Sequence, residues 1–94
     1  MADSVWVLRT TKVRISAAAS VCPEVEYKSD VFETSRGAED HLQSMMRVAK
    51  RSCETFSGRF MTLTDNDTHR VVIDEKPGGT IIIYDYRIMK ENIY

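Results

Sequence analysis

Three segments of the chain are apolar at consecutive positions rather than at alternate ones. They cover residues 5–8, 71–73 and 80–84. Strands have this composition when side chains on both of their faces are buried. The chain offers only one helical pattern, and one helix covers only one face of a sheet. The pattern therefore predicts a sheet whose second face has no cover within the chain.

Five strands are predicted along the sequence. The second is the clearest case of alternation, with Val25 and Tyr27 between Glu24, Glu26 and Lys28, which is typical of a half-exposed strand. Polar and glycine-containing turns separate the last three strands and make them a meander. The predicted strands cover residues 5–15, 24–32, 60–63, 69–74 and 80–89, with a connecting stretch at 16–23 and turns at 64–68 and 76–79.

One helix is predicted between the second and third strands. We expect Ser35 or Gly37 as its N-cap and Glu39 and Asp40 in its first turn. The pair Ser57-Gly58 is expected to supply the left-handed residue that ends it. Its apolar positions follow a spacing of 3.6 residues and form one stripe that faces one side of the sheet. These positions are Ala38, Leu42, Met45, Met46, Ala49, Cys53 and Phe56.

The resulting element order, ββαβββ, predicts the α+β class. We expect a twisted antiparallel sheet of four to five strands with a single helix packed on one face. The chain contains no internal repeat and no linker rich in Gly, Ser or Pro. Residues 1–94 are therefore interpreted as a single small domain.

The charge balance and the hydropathy of the chain argue against binding to a polyanion or to a membrane. The 13 Lys and Arg residues nearly balance the 14 Asp and Glu residues, so no overall field attracts a polyanion. No apolar stretch approaches the roughly 20 residues that span a bilayer, and the first residues lack a secretory signal pattern. We expect a cytoplasmic protein that does not contact a membrane.

The predicted uncovered face supplies the candidate binding site. If the helix covers the side that bears Ile82 and Tyr84, then Val5, Val7, Ile81 and Ile83 point to the opposite side and would contact a partner. The sequence leaves open which of the two sets faces the helix. It also leaves open an internal closure, in which the sheet curls or residues 17–21 fold back over the second face.

The helix also carries a cationic face. Arg47, Lys50 and Arg51 lie opposite the apolar stripe, and such a group is able to contact phosphates or an acidic protein. Glu54 lies four residues after Lys50 and compensates part of this charge. Nucleic-acid binding through this face is the alternative hypothesis, although the charge balance does not favour it.

No motif for catalysis is present. Cys22 lies in a loop without a predicted base beside it, and Cys53 lies on the apolar stripe, where a thiol behaves as a small hydrophobe. The two cysteines lack the spacing of metal ligands and are expected to be reduced. We predict no enzyme activity, no catalytic residue and no cofactor.

Two further features have an ordinary structural explanation. The acidic turn at residues 65–67 lacks the later ligands of a calcium loop, so we predict a hairpin turn and no metal site. Tyr84 and Tyr86 lie two residues apart on one strand face, as in a stacking platform for bases, but we expect them to pack beneath the helix.

The sequence therefore predicts a protein-binding module. We expect it to dock to another protein, or to itself as a homo-oligomer, through an apolar sheet face. Small inhibitors or adaptors of phage or mobile-element type, and small subunits of assemblies, are of this kind.

Overall fold

The computed structural model of the chain describes residues 4–17 and 22–92. The element order confirms the predicted ββαβββ arrangement and the α+β class. The elements are β1 (Ser4–Ile15), β2 (Glu24–Phe32), α1 (Ser35–Thr55), β3 (Arg59–Asp65), β4 (His69–Glu75) and β5 (Ile81–Asn92). Part of the predicted connecting stretch, residues 18–21, lies outside the described residues, and so does most of the segment that was considered for closing the second face.

The five strands form one antiparallel sheet with the spatial order β2-β1-β5-β4-β3. The longest ladder joins β1 to β5, from Ser4 opposite Asn92 to Ile15 opposite Ile81. This ladder extends β5 three residues beyond its predicted end at Met89. The last strand of the sequence therefore lies at the centre of the sheet, flanked by β1 and β4.

The side chains of β5 show which face the helix covers. Tyr86 and Ile88 belong to the buried cluster beneath α1, and Tyr84 packs against it. Residues at alternate positions, such as Ile81 and Ile83, therefore point to the other side. We call that other side, away from α1, the open face.

The core lies between α1 and the covered face of the sheet. Ala38 and Leu42 project from the helix onto Leu8 and Val72, which come from strands on either side of β5. Tyr86 is almost fully buried, and its ring lies nearly parallel to that of Tyr84, with 6.1 Å between centroids. This confirms that the two tyrosines pack beneath the helix. Burial raises the pKa of both phenols above its ordinary value.

The predicted N-cap of the helix is wrong by a short distance. Thr34 is the N-cap, because its backbone is extended and its hydroxyl accepts a hydrogen bond from the Gly37 amide at 3.0 Å. Ser35 is already the first helical residue. Glu39 and Asp40 consequently lie beyond the first turn, which contains no acidic residue.

The helix ends at the predicted Ser57-Gly58 pair, and Ser57, with φ 58°, is its left-handed residue. Gly58 is required for a different reason, since a Cβ there would lie 2.8 Å from Cys53 Sγ and 3.1 Å from the Glu75 carbonyl oxygen. Phe56, predicted to lie on the buried stripe, is the C-cap residue and is exposed.

One charged side chain is buried near this end of the helix. Asp74 is only 2% exposed and pairs with Lys76, with 3.3 Å between Oδ2 and Nζ. The Lys76 ammonium also lies 5.8 Å from the centre of the Phe56 ring. Burial raises the pKa of the neighbouring Cys53 thiol to about 11, and the Asp74 carboxylate adds to the rise.

The two edges of the sheet are built differently. On β3 the register shifts between Thr62 and Thr64, which marks a β-bulge. On β2 the pairing with β1 is regular from Glu24 to Phe32, and most of the strand is exposed. Four charged residues alternate along the covered-face side of β2, namely Glu24, Glu26, Lys28 and Asp30.

Candidate protein-binding face

The open face contains one continuous line of apolar side chains. The four strand registers align Val25 with Val13, Val13 with Ile83, Ile83 with Ile73, and Ile73 with Met61. These five residues, one from each strand, are called the apolar row. The row crosses the whole sheet perpendicular to its strands, with Ile83 of the central strand in the middle.

Further apolar residues flank the row on both sides. Ile15 and Ile81 form the next pair towards one end of the strands, and Tyr27 and Val71 lie one step towards the other end. Together with the apolar row they form what we call the apolar patch. Tyr27 is 80% exposed, and Ile15 and Val25 are also exposed, so this patch is accessible to solvent at its margins.

No described helix or strand lies over the open face, because all five strands belong to one sheet and α1 covers the opposite side. The interior members of the apolar row are half-buried by their neighbours within the sheet. Soluble monomers rarely leave a contiguous apolar surface of this kind without a function. The patch is therefore the strongest candidate binding surface in the described part of the chain.

Charged side chains cross the open face next to the patch. His69 Nε2 lies 2.9 Å from Asp85 Oδ1, and Arg87 Nε lies 3.4 Å from the same oxygen. Arg9 and Glu91 form a second pair, with 3.1 Å between Nη2 and Oε1. We call these five residues the charged band. Within the same molecule, Asp85 pairs with Arg87 and Glu91 pairs with Arg9, and the His69 ring contacts the same Asp85 oxygen.

The structure places all four residues of the sequence-predicted binding site on the open face, but not in one cluster. Ile81 and Ile83 belong to the apolar patch. Val5 and Val7 lie within the charged band, where Val5 is aligned with Glu91 and Val7 is aligned with Val31 and Met89. Val7 is only 6% exposed, so it offers a partner almost no surface.

Sequence reasoning missed the members of the patch that come from other strands. Val13, Ile73 and Met61 had been read only as parts of their own strands, and Val25 as one position of an alternating pattern. Their alternation gives the face on which each points but not their alignment across strands. That alignment depends on the register, which no single strand sequence contains.

The cationic residues of the helix lie on the other side of the molecule. Arg47, Lys50 and Arg51 are exposed, and none forms an ion pair with a residue that the structure describes. Arg47 and Lys50 line a shallow groove of about 420 Å³ together with Phe60 and Arg70. Arg70 is the exception in this groove, because its guanidinium pairs with Asp65 at 3.2 Å.

A larger groove of about 720 Å³ lies between α1 and the β1–β2 side of the sheet. Its apolar walls include Met45 and Val48 of the helix and Tyr84 of β5. Lys12 and Glu26 bring charges of both signs to its lining. This mixed lining does not select a ligand of one charge.

The two cysteines and the acidic turn were also considered as sites of chemistry. Both thiols are free, Cys22 being exposed and Cys53 buried. The Asn66 side-chain oxygen accepts hydrogen bonds from the amides of Thr68 and His69, so this residue closes the predicted hairpin turn. Among residues 4–17 and 22–92, no three His, Cys, Asp or Glu side chains are grouped so that they could hold a metal ion.

The test for a membrane-spanning helix and the comparisons with known proteins assign no function to this chain. No helix in the described ranges combines the length and the apolar character that crossing a membrane requires. Searches against family models, curated proteins and solved structures find no match to this chain.

Proposed function

We propose that this chain is a non-enzymatic protein-binding module that docks to another protein, or to a second copy of itself, through the apolar patch. One observation supports this most directly: the apolar row runs across all five strands and has no described element over it. Burial of one aliphatic side chain contributes about 1.5–3 kcal/mol, and less where the side chain is already half-buried. Several such residues together still give a docking partner a sizeable gain.

Within this proposal the chain acts in the cytoplasm as a small inhibitor or adaptor, for example of phage or mobile-element type, or as a small subunit of an assembly. Two free thiols agree with a reducing compartment. The buried Cys53 thiol, with its raised pKa, stays protonated at neutral pH and is poorly suited to act as a nucleophile.

The test is to place a charge in the patch. We expect Ile81→Asp and Ile83→Asp to abolish association, because a carboxylate cannot enter an apolar interface without a large desolvation cost. Circular dichroism should show unchanged helix content. Val25→Asp is the safer third variant, because Val25 lies on an edge strand and is exposed in the monomer. Association that survives in a folded Val25→Asp protein would contradict the proposal.

Nucleic-acid binding is the second candidate. The observation in its favour is that Arg47 and Lys50, free of ion pairs with described residues, share a groove with Arg70 and the Phe60 ring. This hypothesis predicts affinity for an oligonucleotide that falls steeply with salt and is lost in Arg47→Glu/Arg51→Glu. Gel-shift titration of wild type and of this variant distinguishes it from patch docking, which salt affects little.

A further inference from the structure

We propose that the apolar patch binds a second copy of this chain, and that the two copies are related by a two-fold axis along the apolar row. This inference rests on the proposed function and names its partner. In the dimer, the two open faces stack as a sandwich with a helix on each outer side. Each residue of the row then faces the same residue of the second copy.

Charge on the open face favours a second copy over a foreign partner. The charged band is paired within one molecule: Asp85 with His69 and Arg87, and Arg9 with Glu91. The open face therefore does not require a partner of opposite net charge. On the other side of the patch, Glu75 is aligned with Ile81 and with Arg59, a residue of opposite charge on β3. A second copy supplies an apolar patch of the same size and chemistry and the same balance of charges.

The position of the charged band also selects the axis. With an axis along β5, Asp85 would face Asp85 of the second copy and Arg87 would face Arg87, which repel. With an axis along the apolar row, the strands run past each other in opposite directions and overlap only at the patch. Arg9, His69 and Arg87 then lie outside the overlap. Asp85, aligned with Thr11 and Val71, and Glu75, aligned with Ile81, lie in its two outer rows, where Asp85 keeps its contacts with Arg87 and His69.

The size of the patch predicts the strength of the dimer. Five strands about 4.8 Å apart span about 24 Å, and three rows of side chains span about 20 Å along the strands. The overlap, which includes the polar residues Thr11, Asp85 and Glu75 beside the patch, thus covers about 500 Å² per copy, or about 1,000 Å² in total, which is at the lower limit for a specific interface. We expect a reversible dimer whose population depends on concentration.

The first measurement is sedimentation equilibrium of the full chain over a concentration series. We expect the mass to rise from 10.8 kDa to twice that value as concentration increases, with little dependence on salt. Val25→Asp should weaken the dimer at least tenfold. Val48→Asp is the matched control, because Val48 is also exposed but lies on the helix, and its dimer should be unchanged.

The second measurement tests the axis by cross-linking in a Cys22→Ser background, where the remaining Cys53 is buried. Val25→Cys should form a covalent dimer with a short bismaleimide, since Val25 faces Val25 across the proposed axis. Val31→Cys, on the same strand and the same face but beyond the overlap, should not. Cross-linking of Val31→Cys without Val25→Cys would overturn the proposed arrangement.

The outcomes separate this inference from the proposed function. An apolar fluorescent dye, 8-anilinonaphthalene sulfonate, reports whether the patch is open in the monomer. A constant mass of 10.8 kDa with dye fluorescence that falls in Val25→Asp would overturn the second copy and leave the patch to a different protein. A constant mass with dye fluorescence unaffected by Val25→Asp would overturn both.

Discussion

Replacing Lys76 with methionine should destabilise the fold far more than a surface lysine change normally does. The substitution keeps the length of the side chain and removes the ammonium that pairs with the buried Asp74 carboxylate at 3.3 Å. At that distance and an effective dielectric constant of about 20, the gross attraction is about 5 kcal/mol. Desolvation of both groups and the partial exposure of Lys76 reduce the net value, and we expect a loss of about 2 kcal/mol.

The loss comes mainly from leaving a charge buried without a partner, so removing that charge should reverse much of it. We expect Asp74→Asn/Lys76→Met to lose about 1–2 kcal/mol less free energy of unfolding than the sum of the losses in the two single variants. Urea unfolding followed by far-ultraviolet circular dichroism measures these values, at protein concentrations low enough to keep the chain monomeric. Lys50→Met, at an exposed helix position without an ion pair to a described residue, is the control and should change stability by less than about 0.5 kcal/mol.

Two results would refute this reasoning. One is a Lys76→Met protein as stable as the Lys50→Met control. The other is strict additivity in the double variant, which would mean that the Asp74 carboxylate does not depend on the lysine.

Three further changes test local features of the fold. Thr34→Ala should lower the free energy of unfolding by about 1 kcal/mol through loss of the cap, and Thr34→Ser should largely retain it, as measured by urea denaturation. Iodoacetamide near pH 8 should modify Cys22 rapidly and leave Cys53 unmodified in the native protein, because the Cys53 thiol is buried and its pKa is about 11. Peptide mass spectrometry measures the two rates, and equal rates would contradict this expectation. Gly58→Ala should lower the melting temperature because its Cβ would contact backbone and sulfur atoms, whereas Gly58→Ala with unchanged melting would show that the helix end can move.

Most of the fold was predictable because local patterns and tertiary packing agree. The range of β2 and the apolar stripe of α1 follow directly from alternation and from the 3.6-residue period. Strand ends were less predictable. The polar end of β5, around Glu91 and Asn92, has little intrinsic strand character and is extended because it pairs with Ser4 and Val5 of β1.

The helix cap and the buried carboxylate show a second limit. Thr34 and Ser35 are both good N-cap residues, and the sequence alone does not decide between neighbours. Asp74 had been placed at the end of a strand without a special role. Its burial depends on α1 and Lys76 meeting above it, which happens only in the folded chain.

The sequence predicted which face of the sheet carries the candidate site, but not which residues of that face lie together. Two of its four residues, Ile81 and Ile83, lie in the apolar patch, whereas Val5 and Val7 are separated from it by charged side chains. The proposed docking role of these residues remains a prediction. The register across five strands defines the patch, and it arises only when residues far apart in sequence pair.

The unequal edges of the sheet have a consequence for the handling of this protein in solution. The bulge on β3 interrupts the geometry that an incoming strand would need, and salt does not alter it. On the straight β2 edge, alternating charges are what discourages strand addition and fibril growth, and added electrolyte screens them. We therefore expect aggregation through the β2 edge to increase with ionic strength, as measured by light scattering. A proline that interrupts β2 should abolish this increase.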